Sequence, residues 1–81
     1  MTRLLEPYRV EHTIRVTHAA RSHVLANAWV LYTGGPVNYF VRGVPRVLTA
    51  MLQAHGPIDV KVRRLENTQF IETILSIQKA R

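Results

Sequence analysis

The sequence has no cysteine, which excludes disulfide bonds, a thiolate nucleophile and the commonest structural zinc sites. Carboxylates are scarce, five against eleven arginines and lysines. Asp59 and Glu72 stand apart, each beside a basic or exposed position that suits a surface ion pair. The four histidines, His12, His18, His23 and His55, are scattered, and the separation of His18 from His23 does not place two ligands on one helical turn. No glycine-rich phosphate loop with a lysine is present. These absences speak against an enzyme, and neither a metal nor a cofactor is expected. Long apolar runs are missing too. The longest uncharged stretch, residues 22–41, contains His23, Asn27, Gly34-Gly35-Pro36 and Asn38, which no membrane span tolerates at its middle. Arg3 and Glu6 interrupt the start before an apolar targeting core can form. A soluble, cytoplasmic chain without a membrane partner is the expectation.

What is present is arginine, nine of the eleven basic residues. The formal charge is +6 and the pI about 10.9. That balance favours a polyanionic partner, nucleic acid first and an anionic membrane surface second. Arginine suits bidentate phosphate contacts and stacking on bases. Eighty-one residues make one small domain, for which pairing into a dimer is a common source of added stability.

The chain is centred on residues 37–56. Val37, Tyr39, Phe40 and Val41 have the composition of a half-buried strand. Arg42-Gly43 follows, then a helix with Pro45 at its first position and Gly56-Pro57 as its stop. Val47, Leu48, Met51 and Leu52 give that helix one apolar stripe. Free N–H groups at a helix start, beside Arg42 and Arg46, suggest a phosphate seat.

Residues 1–7 read as a flexible lead-in and 8–81 as a single domain. From Tyr8 to Val16 apolar and polar residues alternate, a strand with one covered face, and His12 falls on the covered side. Thr17 suits the cap of a helix over residues 18–33, stopped by Gly34-Gly35-Pro36. Val24, Ala26, Ala28, Val30 and Tyr32 also alternate as a strand would, but three alanines and strong terminal stops favour the helix. Ile58, Val60 and Val62 mark another strand, residues 64–69 a turn, and residues 70–79 a final segment whose Ile, Thr and Phe tilt it towards strand. The expected order is β-α-β-α-β-β. It forms a two-layer α/β (α+β) sandwich, a mixed four-stranded sheet with two helices on one face.

In that order the sequence resembles the Alba superfamily of small basic archaeal chromatin and RNA-binding proteins. Tyr39-Phe40-Val41-Arg42-Gly43 resembles the family's strand ending in Arg-Gly. Residues 22–26 resemble the start of its first helix, and residues 71–79 its closing strand. The resemblance implies a homodimer, or a heterodimer with a paralogue, that binds DNA or RNA with little sequence preference. Chromatin and nucleoid association or a ribonucleoprotein such as ribonuclease P would be the setting. Arg42 and Gly43 match the family motif. Thr17 and His18 stand where the family carries a lysine pair, with Arg15 and Arg21 nearby. Arg63 and Arg64 sit at the base of what would be a short hairpin arm. On this reading Arg15, Arg21, Arg42, Arg46, Arg63 and Arg64 form one phosphate-contacting face, and Met51, Leu52 and Leu75 are candidates for the dimer interface. The same element order occurs in a sulfur-carrier family, whose chemistry the missing cysteine excludes, and in the C-terminal domain of a bacterial translation initiation factor. An interaction module facing an acidic protein is the alternative of a different class.

Overall fold

Thirteen consecutive residues, Arg9 to Arg21, run as nearly continuous strand, and this stretch closes the molecule. The computed structural model describes residues 8–43 and 46–80; the expected lead-in, residues 1–7, and the helix-starting Pro45 lie outside them. In chain order the elements are β1 (Arg9–Val16), β2 (His18–Arg21), β3 (Ala28–Tyr32), β4 (Tyr39–Arg42), α1 (Arg46–Ala54), β5 (Ile58–Leu65) and β6 (Phe70–Lys79). The strands form one mixed sheet in the order β1-β5-β6-β4-β3-β2. All pairs are antiparallel except β4 with β6.

β1 and β2 stand at opposite ends of this order, yet only Thr17 separates them. The chain pairs with β5 as far as Val16, opposite Ile58, and from His18 onward with β3. Thr17 N–H donates to the Tyr32 carbonyl at 2.8 Å, completing the change of partner. A sheet whose two outer strands are one strand must roll up. The result is a barrel of five strands, β1 and β2 counting as one, with a helix between the third and fourth. This is the architecture of the OB-fold, a partly open Greek-key barrel.

The interior follows from strand alternation. Ile14 and Val16 of β1, Leu31, Tyr39, Val41, Val60, Val62 and Ile71 are buried together, with Ala19 and Trp29 packed against them. Helix α1 buries Val47 and lays Ala50, Met51 and Ala54 against this core, near Ile74 and Ile77. Its left-handed stop is His55, at φ 55°, rather than the expected Gly56. The N–H of His55 donates to the Met51 carbonyl at 3.0 Å.

The expected two-helix sandwich is therefore corrected to a six-stranded mixed sheet with one helix among the described residues. The difference lies in residues 18–33. Ser22 Oγ accepts the N–H groups of Val24 and Leu25 at 3.1 and 3.0 Å, and Asn27 turns left-handed at φ 55°. That tight loop breaks the stretch into β2 and β3, each short and made good by its neighbour. Trp29, Val30 and Tyr32 suit the strand, and a satisfied ladder outweighs the modest helix preference of three alanines. The expected parallel crossovers also change. The connection β4-α1-β5 passes over β6, which lies between those strands. The fold implied by the Alba resemblance is not the fold of this chain.

Candidate functional site

An open cleft of about 640 Å³ lies on the outside of the barrel, lined among others by Leu25, Phe40, Asn67, Gln69 and Phe70. Its floor is set by register. Ala20 faces Val30, Val30 faces Phe40, and Phe40 faces Phe70 across four neighbouring strands. All four point away from the core and all are half-buried. The row ends in two adjacent phenyl rings. Exposed Arg42, two residues beyond Phe40 on the same face, holds its guanidinium 5.2 Å from the Phe70 ring centroid, a cation–π pair.

Two loops wall the cleft. The first, residues 22–27, is wound on Ser22 Oγ and brings Leu25 over the floor. Its Asn27 carbonyl accepts the N–H of Gly43 at 2.7 Å, with Gly43 at φ +82°. The N–H of the Arg-Gly turn is thus spent on the barrel, and the positive φ explains the glycine. The second wall, residues 66–69, is wound around Arg64. Its Nη1 donates to the carbonyls of Leu65, Glu66 and Thr68 at 3.1, 3.2 and 2.9 Å, and its Nε donates to His12 Nε2 at 3.0 Å. The guanidinium lies 5.5 Å from the Tyr39 ring centroid, and His12 meets the same ring edge-on at 5.7 Å. Burial first, and the Arg64 charge second, lower the His12 pKa from its ordinary 6.5. The Gln69 carbonyl accepts the N–H of Phe40 at 3.0 Å, tying this loop to the floor.

The residues expected to form one basic face are dispersed. Arg15 pairs with Asp59 at 3.0 Å and Arg63 with Glu11 at 2.8 Å, both cross-strand neighbours on β1 and β5. Arg64 is the pin just described. Thr17 links β1 to β2 and its hydroxyl donates to the Tyr32 carbonyl at 3.1 Å; His18 stacks on Tyr32 at 5.6 Å. Arg21, Arg42 and Arg46 are exposed. Arg21 opens the loop that Gly43 closes, and Arg46 begins α1 three residues later. Of the dimer candidates, Met51 packs against the core and Leu52 and Leu75 are exposed. Phe40 and Phe70 were not singled out by their sequence pattern as site residues. The signal was available in β4, where Phe40 has the parity opposite to buried Tyr39 and Val41.

Among the described residues no cluster of three metal-ligating side chains occurs, and no helix is long and apolar enough to cross a membrane. No family model, curated protein or solved structure matches the chain.

Proposed function

We propose that this chain is a non-catalytic binding module for single-stranded nucleic acid, with the strand lying in the cleft over Phe40 and Phe70. The observation that carries the reading is the paired phenyl floor with an exposed guanidinium at its rim. Every nucleobase has a face that stacks on such rings, and the phosphates between bases need cations within reach. Arg42 supplies one, and exposed Arg21 and Arg46 are two further cations. Duplex DNA hides its bases and offers the floor nothing. The barrel architecture adds an analogy: OB-folds bind oligonucleotides and oligosaccharides on this face and between loops in these positions, although fold alone does not fix function. The excess of arginine over carboxylate favours the charged ligand of the two.

The test is fluorescence anisotropy with labelled single-stranded DNA, single-stranded RNA and duplex DNA of equal length across a salt series. Both single strands are expected to bind more tightly than duplex. Three phosphate contacts correspond to a slope of about −2 in log K against log salt. Phe40→Ala removes one stacking ring and should weaken single-strand binding by about 1–3 kcal/mol, roughly 5- to 150-fold. Arg42→Ala should weaken binding and flatten the slope. Equal affinity for duplex and single strand, or an unchanged Phe40→Ala, overturns the reading. If only a polyacidic protein binds, the chain is an interaction module.

A further inference from the structure

One wall of the cleft is braced by an arginine that a histidine nitrogen holds in place. Arg64 organises the loop at residues 66–69 by donating to two of its carbonyls, Glu66 and Thr68, and to that of Leu65 just before it. It is oriented for this by its fourth contact, from Nε to His12 Nε2. Nε2 accepts only in the neutral imidazole with its proton on Nδ1. We propose that His12 and Arg64 form a proton-operated latch: protonation of Nε2 turns the acceptor into a donor facing a donor, breaks the bond and releases the 66–69 wall. The proposal rests on the cleft being the ligand site.

The surroundings leave the added charge uncompensated. Arg64 faces His12 from β5 and Tyr39 from β4, the first a cation and the second a neutral ring. The neighbouring loop contributes Thr33, Pro36 and Val37, none charged. On β1 itself Glu11 and Arg15 alternate to the other face, where they pair with Arg63 and Asp59. Among the described residues no carboxylate forms an ion pair with His12. Two cations 3.0 Å apart in a half-buried site must separate. Arg64 is the one whose departure takes donors from the Glu66 and Thr68 carbonyls, leaving the loop to its backbone bonds, Glu66 N–H to the Tyr8 carbonyl and Thr68 N–H to that of Leu65. Affinity falls because the wall is no longer preorganised. A freed Arg64 brings no charge that it did not already carry.

The sign of this effect separates it from general electrostatics. A gain of positive charge on acidification tightens polyanion binding, whereas the latch weakens it. The experiment compares wild type with His12→Gln, whose side-chain oxygen accepts from Arg64 Nε and does not titrate. NMR follows the Arg64 Nε–H resonance and the protection factors of the Thr68, Phe70 and Phe40 amides between pH 7.5 and 5. In wild type, protection of these three amides should fall several-fold, with the midpoint at which the His12 ring titrates. In His12→Gln it should stay flat. Affinity for a single-stranded oligonucleotide, measured in parallel, should decline on acidification in wild type relative to the variant. If the Arg64 Nε–H resonance and the amide protection pass unchanged through the His12 titration, the latch is wrong. Should His12→Gln not fold, that wild-type titration still decides. Loop release without any oligonucleotide binding would retain the latch and overturn the cleft as a nucleic-acid site.

Discussion

Arg64 has the same charge as the other arginines of the chain, yet its use is set by one residue of strand parity. Arg63 points outward and meets Glu11, while Arg64 turns to the barrel's end and is consumed by carbonyls and His12. Charge counting in the sequence treats the two alike, and the face of the strand separates them. Removing Arg64 takes its donor from the Glu66 and Thr68 carbonyls and the His12 ring, so Arg64→Ala should cost about 1–3 kcal/mol, whereas Arg63→Ala breaks an exposed pair worth about 0–1 kcal/mol. Urea unfolding of the two variants would show the ranking. His12 adds a pH dependence with a definite sign. Its pKa is lowered on folding, so above its ordinary value of 6.5 both states are neutral and the folded state loses nothing. As pH falls below 6.5 the unfolded chain takes up the proton first, and stability declines until the folded pKa is passed. Denaturant titrations at pH 7.5 and 5.5 should show wild type losing more stability than His12→Gln.

At the scale of elements, the strands at β1, β4 and β5 and the helix α1 were legible, because each shows one unbroken period with a stop at its end. Residues 70–79 suit both helical and strand spacing, and only their Ile, Thr and Phe tilt them towards the strand β6. Residues 18–33 were not legible. Thr17 read as a cap and the alanines as helix, while the deciding interactions were a serine hydroxyl two residues from its N–H partner and a ladder supplied by distant strands. Of the site, Arg42 and Gly43 were legible as a turn, although the N–H of Gly43 serves the Asn27 carbonyl rather than a ligand. The phenyl floor was hidden because it is assembled from β4 and β6, thirty residues apart and paired only after folding. The helix end gives an element-level prediction. His55 holds a left-handed backbone that costs a non-glycine residue about 1–2 kcal/mol, and its side chain is exposed. His55→Gly should therefore stabilise the protein, by about 1 kcal/mol or less once glycine's extra unfolded-state entropy is set against it. A rise of a few degrees in Tm would register the gain.

For the whole molecule, the distribution of charge matters more than its sum. Glu11, Asp59 and Glu72 all neutralise arginines on the outer face of β1, β5 and β6, while Arg21, Arg42 and Arg46 are exposed and make none of these three pairs. The core is small, and Leu31 is among its largest fully buried side chains. Leu31→Ala should cost about 2–5 kcal/mol, a large part of the about 5–15 kcal/mol available to a domain, and calorimetry should find the variant near the edge of folding. The single-residue join at Thr17 reaches further still. The strand it bisects must find β3 at most 14 residues away and β5 more than forty residues away, and neither pairing closes the barrel without the other. The β2–β3 and β5–β6 hairpins form from near neighbours, but barrel closure waits on the distant β1–β5 pairing. Folding should be slow for a chain of this length, in milliseconds to seconds rather than microseconds, and stopped-flow refolding should show both ends of that strand becoming ordered in one kinetic step.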